Sequence, residues 1–424
     1  MPEKTSYVSW DQLPLASVFR INTASAFPVQ SPNESFTHYS IPAFDQLGGP
    51  ADELGVTIES NKTRISEPSV LVSKLNPRKP RVVVVLDPQD KTCCSTEFIC
   101  YVRLRDSDDL RYWAAYFGSG IFSRRLERVA VGSTNSHTRV TPNETLSWLV
   151  PDVPSGEQKR IADIVDAIDD AILETDALIE KLRTIHGGII DDLLTRGLAD
   201  DGSPRDLFSL TETAVGPRPM KWTVANLGHF VVGAEYGTNH SLGDSGTGIP
   251  VLRMNNIQDG EFDLSDLKYA PAHAVERFRV QRNDVLFNRT NSWEHVGKAA
   301  IWRPDEPGPA FASYLVRLHC GDALLAEFLH LWLNWAPVQR AIRQFATPGV
   351  QQVNINPTNL RRALIAVPDT LDEQRAIIER VNGVAAAIED HRHQRAKLAL
   401  LREGLRDDLL TGRKPVMAIL EAAE

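Results

Sequence analysis

The feature that most constrains this chain is that it is written twice. Glu157-Gln158-Lys159-Arg160-Ile161 returns as Glu373-Gln374-Arg375-Ala376-Ile377. The offset of 216 holds without a gap to Thr195 and Thr411, and 14 of those 39 aligned positions are identical, among them Val165/Val381, Ile172/Ile388, Lys181/Lys397 and Gly188/Gly404. Asp191-Asp192-Leu193-Leu194-Thr195 recurs intact as Asp407-Asp408-Leu409-Leu410-Thr411. The repeat reaches upstream: Trp10 and Leu15 match Trp222 and Leu227, Val70–Asn76 matches Val285–Asn291, and Val102-Arg103-Leu104 matches Val316-Arg317-Leu318. A period near half the chain implies two copies of one structural unit, in the order globular, helical, globular, helical.

The repeated helical segments carry a seam. Alternating steps of four and three from Ile161 reach Val165, Ile168, Ile172, Thr175, Ile179, Leu182, His186, Ile189 and Leu193; from Ile377 they reach Val381, Val384, Ile388, His391, Arg395, Leu398, Arg402, Leu405 and Leu409. Most of these positions are apolar, and a 3.5-residue period over five heptads needs a partner helix along its length. The other copy is that partner. Two similar halves of one chain pair symmetrically only if the helices, 157–195 and 373–411, run antiparallel. Between Asp163 and Glu180 the first carries seven acidic residues and no basic one, opposite Arg392, Arg395, Lys397 and Arg402.

The remaining segments read as mixed α/β. Short β-rich runs such as Arg81–Leu86 and Phe98–Leu104 are bounded by Pro, Asp and Gly, and Ala326–Phe345 reads as helix interrupted at Pro337. The expected boundaries are a globular domain at 1–150, a helix at 151–196, a linker at 197–220, a second globular domain at 221–368, a second helix at 369–412 and a tail at 413–424. The fold class is thus α/β (mixed α+β), two globular domains separated by two long antiparallel coiled-coil helices, with a pseudo-twofold internal repeat.

Net charge is −9, which at first argues against a nucleic-acid binder. The acidity is local, however: residues 151–216 hold 15 Asp+Glu against 6 Lys+Arg, while 1–150 and 217–368 are close to balanced. Charge therefore neither supports nor excludes DNA. The longest apolar run, Val82–Leu86, is too short to span a membrane, the first residues lack the apolar core of a signal peptide, and a cytoplasmic protein is expected. Cys93, Cys94, Cys100 and Cys320 lack zinc-site spacing and read as reduced structural thiols.

No residue pattern announces catalysis. There is no Gly-x4-Gly-Lys-Ser/Thr phosphate loop, and Asn356-Pro357-Thr358-Asn359 lacks the Asn-Pro-Pro-aromatic pattern of an adenine methyltransferase. Asp87, Asp90 and Lys91 lack the further Glu/Asp-x-Lys of a nuclease. His391 and His393 fall on different helix faces. No metal site and no cofactor of the chain's own are expected. What the globular halves do carry is Arg, Lys, Asn and Gln at matched positions, the side chains that grip base edges in two-point contacts. Lys74, Asn76 and Arg78 match Asn288, Arg289, Asn291 and Ser292, while Thr134, Asn135 and His137 match Gln351, Gln352 and Asn354. Each alone is as readily a turn or capping residue; their occurrence in both halves makes them the candidate DNA-binding set.

The ordered set resembles the specificity subunit of type I restriction–modification systems over nearly the whole chain. The helical block with its Glu-Gln start and Asp-Leu-Leu-Thr end looks like that family's conserved region, here present twice, with a small departure at Arg196 where the second copy has Gly412. Tyr39–Asp45, Asn61-Lys62 and Ser73–Arg78 look like one type of target recognition domain, and Asp284–Ser292 with Gln351–Asn356 like another. The resemblance implies a non-catalytic subunit that reads a bipartite DNA site, one target recognition domain per half-site, with the helices fixing the unread spacer. It implies two methyltransferase subunits and restriction subunits as partners, which would bring S-adenosylmethionine, ATP and magnesium. The repeated helix ends, Gly188, Asp191, Leu193 and Leu194 in one and Gly404, Asp407, Leu409 and Leu410 in the other, are the expected docking surfaces. The competing reading is a coiled-coil scaffold that does not bind DNA.

Overall fold

The computed structural model describes residues 8–131, 138–244, 246–349 and 352–416. It divides into two compact units, residues 1–177 with 392–424, and residues 178–391. Each unit therefore holds one globular part and adjoining stretches of both long helices, Ser155–Arg196 and Leu371–Leu410.

In the first unit an antiparallel sheet runs in the order Phe19–Ile21, Phe98–Arg103, Ser69–Ser73, Val82–Val85. Helix Leu110–Phe117 packs on it, started by the Asp109 carboxylate accepting from the Arg111 amide, and helix Gly120–Val129 follows, capped by Ser119. The core is aromatic: Phe19 meets Trp113 edge-on at 5.3 Å, and Tyr101 stacks on Phe117 at 4.9 Å. A five-stranded sheet built around Thr92–Ser95, its strands interleaved in sequence with those of the first, has one parallel pair, Ser35–Tyr39 against Thr92–Ser95.

The second unit repeats this plan. Its antiparallel sheet runs Val231–Tyr236, Leu315–Cys320, Val285–Asn288, Ala299–Ile301. In both sheets the first strand in sequence lies next to the fourth, and the fourth next to the second. The expected helix at 326–345 divides into Ala326–Asn334, Ala336–Ile342 and a 3₁₀ turn, Arg343–Phe345. Trp335 breaks it in an extended conformation so that Pro337, which has no amide to donate, falls in a helix's first turn. The 197–220 segment contributes its own small hairpin, Leu210–Thr211 with Arg218–Pro219, and sinks Leu198 into the core.

The repeated Glu-Gln pair has the same work in each unit. Gln158 and Gln374 are fully buried. The Gln158 carbonyl accepts from the Asp109 amide at 2.9 Å while its amino group donates to Asp108 Oδ1 and to the Val153 carbonyl. Gln374 accepts from the Leu325 amide at 2.9 Å and donates to the Ala323 and Pro368 carbonyls. Asp109 and Leu325 are the N-cap residues of helices Leu110–Phe117 and Ala326–Asn334, so one glutamine ties the long helix to the globular part and satisfies an orphan amide. Glu157 and Glu373 accept from the indoles of Trp10 and Trp222.

The helices run antiparallel where they meet inside each unit. In the first, Asp169 faces Arg402 (Oδ2 to Nη2, 2.9 Å) and Asp176 faces Arg395 (3.1 Å), seven residues forward on one helix and seven back on the other. Ile161 shares a core with Leu409 and Leu410. In the second, Leu193 and Leu194 share a core with Ile377 and Val381. Every seam position read from the sequence is at least half-buried except Arg395. Part of the acidic stretch goes to a globular residue instead: Arg111 binds Asp163 and Asp166, each at 2.9 Å.

The apparent departure at Arg196 dissolves into a one-residue shift. Both helices end on a left-handed glycine, Gly197 (φ 60°) and Gly412 (φ 67°). A β-carbon on Gly412 would stand 2.2 Å from the Val8 carbonyl oxygen, and one on Gly197 2.3 Å from Glu373 Oε1.

Candidate nucleic-acid interface

In the second unit the main sheet hands its strand Val285–Asn288 on to a small antiparallel sheet, Thr290–Asn291, Val353–Ile355 and Ala346–Pro348. Its register sets Thr290, Asn354 and Thr347 side by side, and directly opposed residues share a face. The two polar clusters singled out in the sequence are thus brought together. Asn354 is half-buried, and its Oδ1 is closed off from solvent with no hydrogen-bond partner among the described residues. Arg289 sits at the handover. Its amide donates to the Tyr314 carbonyl and its own carbonyl accepts from the Ile355 amide. Its guanidinium stacks over Tyr236 at 5.1 Å and reaches the Ser313 carbonyl, which holds the fork in place. Tyr236, Tyr314 and Trp293 are exposed beside it in sequence and sheet. Asn291 takes the Ser292 amide, and the Ser292 carbonyl takes the amides of His295 and Val296, so these two shape the following turn. Gln352 is exposed.

The first unit has the same arrangement in reduced form. Leu75 bridges Arg139, and Arg139 bridges Val131, the counterparts of Thr290, Asn354 and Thr347 at offsets of 215 or 216. Lys74 is half-buried, and its amide and carbonyl bond Glu97 and Val140. Asn76 adopts a left-handed conformation (φ 49°) and accepts the Lys79 amide, the turn role that asparagine tolerates best. Arg78 is exposed and lines a recess of about 370 Å³ with Arg124 and Arg128; none of the three makes an ion pair among the described residues. Arg340 takes the place of Arg124 in the second unit and is likewise exposed. Thr134, Asn135, His137 and Gln351 lie outside the described residues.

Three sequence expectations change. Asn288 is fully buried, its amide donating to the Met254 carbonyl at 3.1 Å; it ends a central strand facing inward and cannot meet a base. Leu193, Leu194, Leu409 and Leu410 are buried in the cores of their own units, which removes them from any docking surface: the repeated Leu-Leu seats the helix end on its own globular part. Asp191 is engaged by the Trp335 indole at 2.5 Å. Gly188 and Gly404 remain open helix positions with nothing within 4 Å of an added β-carbon, and Asp407 is half-buried. Arg139, which sequence reading passed over, occupies the Asn354 position and reaches Glu97 at 3.0 Å; the strand-end spacing, 64 residues between Leu75 and Arg139 and between Thr290 and Asn354, was the available signal.

No protein-family model matches the chain. Among curated proteins it is 28% identical over 173 residues to the putative type I restriction enzyme MjaX specificity subunit of Methanocaldococcus jannaschii, covering 39% of this chain and 40% of that protein. It is 21% identical over 277 residues to the EcoKI specificity subunit of Escherichia coli, covering 64% and 58%, and 24% identical over 250 residues to the EcoBI specificity subunit, covering 56% and 52%. The chain thus spans about half the length of the curated relatives it matches. Among solved structures, a chain from a study of the assembly and conformational transition of a type I restriction–modification system superposes with a TM-score of 0.62 at 19% identity, covering 96% of this chain and 98% of that one. The type I specificity subunit from M. genitalium gives 0.54 at 12% identity, covering 98% of each. At these identities the likeness is one of fold.

Proposed function

Starting from a chain that is a relative of type I restriction enzyme specificity subunits and has their fold, we propose that it is the DNA-reading subunit of such a complex. Each globular half reads one part of a bipartite site, and the paired helices set the unread spacer. The observation that carries this is a strand bridge built twice at one place in the fold with a polar side chain at its centre, Leu75–Arg139–Val131 and Thr290–Asn354–Thr347. A strand carrying the half-buried Asn354 beside the stacked Arg289 brings together residue types that direct readout in the major groove uses, and exposed arginines such as Arg78, Arg124 and Arg340 supply phosphate contacts that fix register.

In this reading the chain is not an enzyme and binds no cofactor. Two methyltransferase subunits, one per half, bring S-adenosylmethionine, and restriction subunits bring ATP and magnesium. No helix among the described residues is long and apolar enough to cross a membrane; we place the protein in the cytoplasm, with the DNA. The test is a map of methylated adenines in the host genome with the gene present and deleted. The expected result is loss, on deletion, of methylation at one gapped bipartite sequence. An unchanged map, together with no DNA affinity when the methyltransferase partner is supplied, would leave a coiled-coil scaffold as the better account.

A further inference from the structure

The second unit contains a cavity of about 330 Å³ that DNA reading does not use. Its walls are mostly apolar, among them Trp332, Trp335, Val338, Ile342 and Phe345, with the exposed Gln344 and Arg362 also on the lining. One charged group with its side chain in this cavity is nearly sealed from water: Arg218, 4% exposed. Its guanidinium lies 5.6 Å from the ring centre of Trp332 and 5.2 Å from that of Trp335. Nη1 donates to the Pro217 carbonyl at 2.6 Å, and Nε has no acceptor among the described residues. No carboxylate among the described residues pairs with it; Glu212 acts on it through its field. Burial pushes the group down to about 10. An arginine kept this dry is ordinarily matched by a hydrogen-bonded anion, because indole faces offset only part of the lost hydration.

We propose that this cavity is a binding site for a small organic carboxylate with a compact apolar body. The carboxylate takes the free edge of the Arg218 guanidinium, whose planar fork matches two carboxylate oxygens, and the body fills the space between the indoles and the aliphatic walls. The size and lining are those of small-molecule pockets, mostly apolar with a few convergent polar groups. Of the two cations on the lining only Arg218 is buried, Arg362 and Gln344 being exposed, and the mostly apolar walls suit a carboxylate with an apolar body better than a phosphate dianion. The site is private to this unit, since Tyr116 and Ser119 stand in the first where Trp332 and Trp335 stand in the second.

The proposal stands independently of DNA reading and is tested on the full-length chain. Intrinsic tryptophan fluorescence and calorimetry are followed while 3-phenylpropionate, hexanoate, their neutral amides and inorganic phosphate are added in turn. The expected result is saturable binding of at least one carboxylate, at least tenfold tighter than its amide and tighter than phosphate, and weakened at least tenfold in R218M. The methionine suits the apolar walls, and a thermal melt establishes that R218M is folded. Should R218M not fold, R218K keeps the charge without the fork and is expected to bind at least fivefold more weakly than wild type. Absence of saturable carboxylate binding, an amide or phosphate that binds as well, or wild-type affinity in the folded variant overturns the assignment.

Discussion

Single residues divide into those that hold the units and those left free to meet a ligand. Gln374 is of the first kind. Replacing it with leucine leaves the Leu325 amide and two carbonyls without their partner, at about 1–3 kcal/mol for each buried group so orphaned. Denaturant unfolding of Q374L is expected to show a loss of at least about 2 kcal/mol, and a variant within 0.5 kcal/mol of wild type would mean water replaces the side chain. Asn354 and Arg289, both half-buried at the strand patch, are the candidates for the second kind. If Asn354 reads a base, N354A loses about 1–3 kcal/mol of discrimination at one position of the half-site with folding intact. Arg289 separates two roles: a base contact relaxes specificity, whereas a phosphate contact weakens all sequences and lowers the salt slope by about one unit. Asn288 is the built-in control. It neighbours Arg289 in sequence but is buried, so N288A is expected to cost stability and leave half-site preference unchanged. Sequence pattern marked all three asparagine and arginine positions alike, because burial of one strand-end residue depends on what packs across the sheet, and that partner, the Met254 carbonyl, lies 34 residues away.

At the scale of elements, the repeat and its 3.5-residue seam made the long helices legible to within two residues at each end, because a helix that must bury one stripe along its length writes that stripe into its sequence. The main sheets were legible only in pieces: Arg81–Leu86 and Phe98–Leu104 announce strands, but nothing local says that the fourth strand inserts between first and second. The helix ends were misread for a related reason. Asp-Leu-Leu-Thr looks like an outward-facing motif, yet its leucines turn into the core of their own unit. One element also carries a pH dependence. His330, in the helix Ala326–Asn334, bonds the Gly260 carbonyl at 2.8 Å and is held by burial at about 4, against 6.5 for a free imidazole. The folded-state value is depressed, so its contribution is fully present above pH 6.5 and is lost as pH falls toward 4. Between pH 7.5 and 5 the loss should be about 2 kcal/mol. Unfolding free energies of wild type and H330Q, compared at both values, check this; equal losses in the two proteins would show that His330 does not titrate in this window.

At the scale of the whole molecule, the question is whether the helices are a ruler or only a tether. Their seam returns to the same face every seven residues, so a heptad is the one length that can be removed without turning the remaining seam away from its partner. Removing 166–172 from the first helix requires the matching cut in the second, since Asp169 and Arg402 face each other; residues 399–405 complete the pair. The cut takes out that ion pair and the one between Arg111 and Asp166, but Arg402 and Asp169 are partly exposed at 30% and 38% and Arg111 keeps Asp109 and Asp163, and a pair in such a setting contributes about 0–1 kcal/mol. The Ile161 and Leu409 contacts of the core lie outside both deletions. Each helix shortens by about 10.5 Å, and a rigid spacer then moves the two reading patches together by about three base pairs at 3.4 Å each. Methylation mapping with the doubly deleted chain is expected to find both half-sites kept and the gap reduced by that amount. A flexible tether would instead leave the gap unchanged or blur it over several lengths, and an active variant with the original gap would exclude the ruler.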